Sequence, residues 1–165
     1  MNQGMVNIYT DGCCLGNPGP GGYGTVLSYN GHKKELSGGF RLTTNNRMEI
    51  MAAIAGLKEL KTKCTVIIHS DSKLLVDAMS KGWIEKWKED DWENRLNADL
   101  WDELLTVCAE HEVLFRWVKG HNGHSQNEYC DKLAKKVSRQ KRGLLIDTSY
   151  ENEVNKQRGE DLWSR

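Results

Sequence analysis

The segment Cys64–Ser70, CTVIIHS, is a continuous apolar run of strand length. Helical spacing borders it on both sides. Ile50, Ala53, Ile54, Leu57 and Leu60 recur at three and four residues before it, and Ser72–Met79 reads as a short helix after it. A strand that is apolar at every position is buried on both faces, and such strands belong to parallel sheets with helical crossovers. This chain must therefore build an α/β domain. Further on, Ala98–Glu110 is helical, with Leu100, Leu104, Leu105 and Val107 apolar, and Val113–Val118 is a last strand. Ser125 and Glu128 have the spacing of a capping box opening a final helix, with Cys130, Leu133, Ala134 and Val137 inward.

The N-terminal part follows a different rhythm. Met5–Cys13 alternates, with Val6, Ile8 and Thr10 on one side and Asn7, Tyr9 and Asp11 on the other. The Gly16–Gly22 stretch, GNPGPGG, reads as a turn-rich loop. Tyr23–Tyr29 is a second strand, Asn30-Gly31 a two-residue type I′ hairpin turn, and His32–Arg41 a third strand. Trp83–Trp92 is charged and aromatic without a clean period. The order is β-β-β-α-β-α-α-β-α, an α/β fold around a five-stranded mixed sheet, three strands antiparallel and then two parallel, flanked by helices.

Bulk properties narrow the class. No apolar run approaches the ~18 residues that cross a bilayer, so no membrane is expected. The N-terminus lacks a basic and apolar leader, so the expected compartment is the cytoplasm. The five cysteines are irregularly spaced without a C-x-x-C pair, which argues against zinc. Lys plus Arg and Asp plus Glu both number 23, so net charge gives no support to a nucleic-acid partner.

Local constellations carry the functional case. Asp71 directly follows the buried strand, at its carboxyl end, where open α/β sheets collect chemistry. Asp11 lies in a strand expected to be central, where a carboxylate is costly unless compensated, and no Lys or Arg is near it in sequence. Glu49 stands near the start of the first helix, three residues after Asn46 and beside the Ile50/Ala53/Ile54 stripe. Asp131 lies in the second turn of the last helix. Taken singly, Asp71 serves as a helix cap, Glu49 as a helix-terminus carboxylate and Asp131 as a surface residue. Converging at one sheet end, the four need cations between them, and an all-oxygen set favours Mg²⁺ or Mn²⁺ over zinc. His121, in the Gly120–Gly123 loop, is suited to proton transfer near neutral pH.

These motifs resemble bacterial ribonuclease H of type 1. The matching stretches are IYTDG (Ile8–Gly12), GNPGPGGYG (Gly16–Gly24), TTNNRMEIMAAI (Thr43–Ile54), HSDSK (His69–Lys73), DLW (Asp99–Trp101), WVKGHNGHSQNEYCDKLA (Trp117–Ala134) and, weakly, DTSY (Asp147–Tyr150). The resemblance implies the ribonuclease H-like fold over residues 1–151. It implies a monomeric endonuclease that hydrolyses the RNA strand of RNA–DNA hybrids and leaves 5′-phosphate ends. It places Asp11, Glu49, Asp71 and Asp131 on two magnesium ions, with manganese an alternative, and His121 on the catalytic loop. Asn17, Asn45 and Asn46 would line the hybrid's minor groove, Thr44 would anchor a DNA-strand phosphate, and Lys73 would also touch substrate.

The chain departs from the family pattern in two places. The Trp83–Arg95 handle is shorter, and sets Lys86, Lys88 and Arg95 against Glu85, Glu89, Asp90, Asp91 and Glu93. Residues 152–165 form an additional polar tail, in which Leu162 and Trp163 are expected to dock on the body. Among rival readings, a phosphate-binding P-loop fails because no G-K-[ST] follows the glycines and a strand, not a helix, comes next. A non-catalytic hybrid-binding module would be expected to lack one of the carboxylates.

Overall fold

In a computed structural model, which describes residues 4–120, 123 and 125–164, five strands form one sheet in the order β3-β2-β1-β4-β5. The strands are β1 Val6–Cys14, β2 Gly19–Tyr29, β3 His32–Thr43, β4 Thr65–Ser70 and β5 Glu112–Trp117. β1 pairs antiparallel with β2, and β2 with β3, while β4 is parallel to both β1 and β5. The architecture is the one expected. Asn30 and Gly31 both have positive φ, 47° and 79°, as a type I′ turn requires.

The helices are α1 Asn45–Lys58, α2 Lys73–Ser80, α3 Trp83–Glu89, α4 Ala98–Cys108, α5 Ser125–Ser138 and α6 Thr148–Trp163. One face of the sheet carries the core. Ile8, Val66 and Ile68 pack with Ile50, Ala53, Ile54 and Leu57 of α1 and with Leu100, Trp101 and Leu104 of α4. On the other face, α5 lies across β1–β3 at very close range. A Cβ on Gly22 would come within 2.7 Å of the Ala134 carbonyl oxygen, and one on Gly24 within 2.8 Å of Leu133 Cβ. Only glycine lets this helix seat on the sheet.

Four expectations are corrected. The glycine-rich stretch is not loop up to Gly22, because β2 already runs from Gly19. Glycine carries no side-chain alternation, so this part of the strand leaves no mark in the periodicity. The Trp83–Trp92 region contains α3, held by Ile84, which is fully buried, and by the edge contact of Trp87 on Trp101 at 5.7 Å. Ser125 is already helical, so it is not the residue preceding α5. The tail is largely the helix α6, but Leu162 and Trp163 are 76% and 90% exposed and do not dock.

α6 has no buried residue and is held by its first turns. Asp147 caps it and accepts hydrogen bonds from Arg47 at 2.7 and 2.9 Å and from Thr43 at 2.8 Å. Arg41 donates to Glu151 at 2.8 Å. Just before α6, Leu145 exchanges backbone bonds with Gly39 and Arg41, which covers the outer edge of β3. Arg47 is itself buried and also grips Asp99 in α4, at 2.7 and 2.9 Å.

Candidate metal centre

The sheet places β1 and β4 side by side and parallel, so their carboxyl ends point the same way. Asp11 is near the end of β1 and Asp71 just past the end of β4. Glu49 reaches the same spot from α1. It can do so because the residue after Asp11 is Gly12, where a Cβ would lie 2.5 Å from the Glu49 backbone nitrogen. Thr44 is the N-cap of α1, its hydroxyl accepting from Arg47 N at 3.3 Å. The helix therefore starts at Asn45, and Glu49 sits in its second turn.

One oxygen from each of Asp11, Glu49 and Asp71 lies within 4.8 Å of the others. Asp11 and Glu49 are buried, at 4% and 5% exposure. Burial, and then the charge of Asp71, push the Asp11 carboxyl up to about 7, against a hydrogen bond from Gly12 N at 2.9 Å that favours the anion. Glu49 is held well above the usual carboxylate range, by burial first and then by the charges of Asp11 and Asp71. Its Oε2 is buried without a hydrogen-bond partner. Three clustered carboxylates at this cost, one of them with an orphaned oxygen, fit a hard divalent cation that accepts only oxygen donors.

Asp131, in α5, stands at the edge of the cluster. Its charge also raises Asp11, yet it is not among the three convergent carboxylates and pairs with Lys135 at 2.8 Å. Gly120 packs against the Asp71 carboxylate, where a Cβ would lie 2.7 Å from Oδ2. The His121 position lies outside the described residues.

The polar residues expected to meet substrate gather beside α1. Asn17 Oδ1 accepts from Asn45 N at 2.9 Å, which ties the β1–β2 turn to the helix start. Asn17, Thr44 and Asn46 line one groove. Lys73 is exposed at the start of α2, two residues after Asp71, and is not in that groove. Asn97 is there, a residue that sequence reasoning does not single out. Its only signal is an asparagine before the Ala98 helix start, where it adopts φ 63°.

A family model described as RNase H matches residues 3–139. The chain belongs to the ribonuclease H family. A ribonuclease H of Rippkaea orientalis is 62% identical over 152 residues, covering 89% of this chain and 93% of that protein. Among solved structures, LC9-RNase H1, a type 1 RNase H with the type 2 active-site motif, aligns with a TM-score of 0.74 and 31% identity, over 93% of this chain and 82% of that one. LC11-RNase H1 in complex with an RNA/DNA hybrid aligns with a TM-score of 0.63 and 23% identity, over 80% and 95% of the two chains. The last likeness concerns the fold alone. The family is metal-dependent, and this chain carries a buried acidic cluster in Asp11, Glu49 and Asp71.

Proposed function

We propose that the protein is an endonuclease that hydrolyses the RNA strand of RNA–DNA hybrids. The observation that carries this is the carboxylate triad of Asp11, Glu49 and Asp71 with its orphaned Glu49 oxygen, in a chain of the ribonuclease H family. Asp11, Glu49 and Asp71 hold the first cation, and Asp131 leaves Lys135 to help hold a second. Two magnesium ions, or manganese in their place, supply water activation and stabilisation of the leaving oxygen when bound, the chemistry that leaves 5′-phosphate ends. His121 takes part in proton transfer from its loop.

Recognition falls to the other side of α1. Asn17, Asn45 and Asn46 are neutral amides suited to 2′-hydroxyls and base edges in a shallow minor groove, without sequence preference. The Thr44 region and Lys73 contact backbone phosphates, which fixes register. The catalytic unit is residues 1–151, acting as a monomer in the cytoplasm, and no helix among the described residues is long and apolar enough to cross a membrane.

The test uses labelled RNA–DNA hybrid and the matching RNA and DNA duplexes, each with and without Mg²⁺. Cleavage confined to the RNA of the hybrid, dependent on Mg²⁺ and lost in Asp11→Asn, is expected. Cleavage of duplex DNA, or full activity of the variant, refutes the proposal.

A further inference from the structure

The groove that holds Asn17, Thr44 and Asn46 has a further wall that the proposed function does not use. Its cavity volume is about 460 Å³, and Leu96 and Asn97 line it ahead of α4. The remaining lining comes from α6, through Tyr150, Glu153, Val154 and Gln157. Those positions are spaced i, i+3, i+4 and i+7, so they form one stripe of the helix. α6 has no core to cover, since none of its residues is buried. It is nevertheless pinned beside the substrate residues, through Asp147 on Arg47 and Glu151 on Arg41.

The chemistry of the lining selects its occupant. Four side-chain amides face the groove, on Asn17, Asn46, Asn97 and Gln157. The oxygens of Asn17 and Asn97 already accept from Asn45 N and from Arg47 Nη1, at 2.9 and 3.4 Å. What these two amides offer outward is therefore the donating NH₂. Among the described residues no Lys or Arg lines the groove, and its one charged residue is Glu153, which disfavours a phosphate at the α6 wall. The minor-groove side of a nucleic acid displays acceptors at purine N3, pyrimidine O2 and, in RNA, the 2′-hydroxyl. Leu96, 77% exposed, adds an apolar surface for a sugar ring.

We propose that α6 extends the hybrid-binding surface, with Gln157 and Val154 touching the sugar and base edges of the minor groove and Glu153 weakening that interaction. This rests on the assignment of Asn17, Thr44 and Asn46 to substrate. The appended helix thereby lengthens the footprint beyond what the first turn of α1 reaches.

The test is hybrid binding by the full chain, followed by fluorescence anisotropy with a labelled RNA–DNA hybrid in EDTA, so that no cleavage intervenes. Gln157→Glu weakens binding about fivefold and Glu153→Gln tightens it about threefold, each the size of a single hydrogen bond made or broken. Asn155→Glu carries the same new charge on the exposed far side of α6, and changes binding less than about twofold. Glu153→Gln raises affinity, which misfolding cannot produce. Equal weakening by Asn155→Glu and Gln157→Glu would mean long-range repulsion and overturns the proposal. So does an unchanged Kd in both Glu153→Gln and Gln157→Glu, which would leave the stripe for a different partner. If the unaltered protein prefers hybrid over duplex DNA while these variants are unmoved, only the role of α6 fails. If it shows no such preference, the proposed function fails and takes this inference with it.

Discussion

Replacing Asp11 with Asn should stabilise the metal-free protein while abolishing its activity. The Asp11 carboxyl is raised from 3.8 to about 7, first by burial and then by Asp71. At about 1.4 kcal/mol per pKa unit, that rise corresponds to about 4 kcal/mol. The sign follows from linkage. A folded state that holds its proton more tightly than the unfolded chain loses stability as pH rises. For Asp11 the penalty is absent below about 3.8, grows between there and about 7, and is complete above. Glu49 is also raised and competes for the same proton, so about 2–4 kcal/mol is expected at pH 8, a rise in Tm of about 5–15 °C for a chain of this size. The assay is thermal unfolding in EDTA at about pH 5.5 and pH 8, with and without the substitution. The unaltered protein should be the more stable at the lower pH, and Asp11→Asn should flatten that dependence. Saturating Mg²⁺ should narrow the gap, because the cation stabilises mainly the intact cluster. A variant no more stable than the unaltered protein at pH 8 without metal would refute the reasoning.

Arg47→Met leaves Asp147 buried without its cation and should cost about 3–5 kcal/mol in urea unfolding, and a loss under about 1 kcal/mol contradicts the role given to the pair. Gly24→Ala drives a methyl into the Cys130 carbonyl and should cost about 1–3 kcal/mol while weakening Mn²⁺ binding, since α5 carries Asp131. Hybrid binding should be weaker and less salt-sensitive than in a relative with a basic handle. Lys88 is tied to Asp102 and Arg95 lies over the Trp87 ring, and equal log–log salt slopes for the two proteins would exclude this.

Asp11 is readable from sequence because a carboxylate in a buried strand has no structural excuse, and Asp71 because it abuts the apolar β4 run. Glu49 is less legible. Its address depends on Gly12, and a missing side chain leaves no trace in a hydrophobic pattern. The start of β2 escapes for the same reason: Gly19 is dictated by the Leu15 carbonyl, Gly21 by Thr43 and Cys13, and Gly22 by α5, more than a hundred residues away in sequence. α3 rests on Ile84 and on packing among tryptophans, too few buried positions to produce a period. α6 has no apolar stripe, since ion pairs at its first turns hold it, and pairs made across the fold have no local signature. For the same reason the exposure of Leu162 and Trp163 runs against hydrophobicity alone.

The proposed set of four carboxylates comes from β1, α1, the end of β4 and α5, four segments spread over some 120 positions of chain and closed by a helix that packs back on β1 and β2. A nascent polypeptide therefore lacks part of the proposed set until α5 is made. Until α5 has left the ribosome and folded back over β1 and β2, the glycine strand has no cover and Asp131 is missing. The set of four is complete only once the last of these segments has been synthesised and has docked on the sheet.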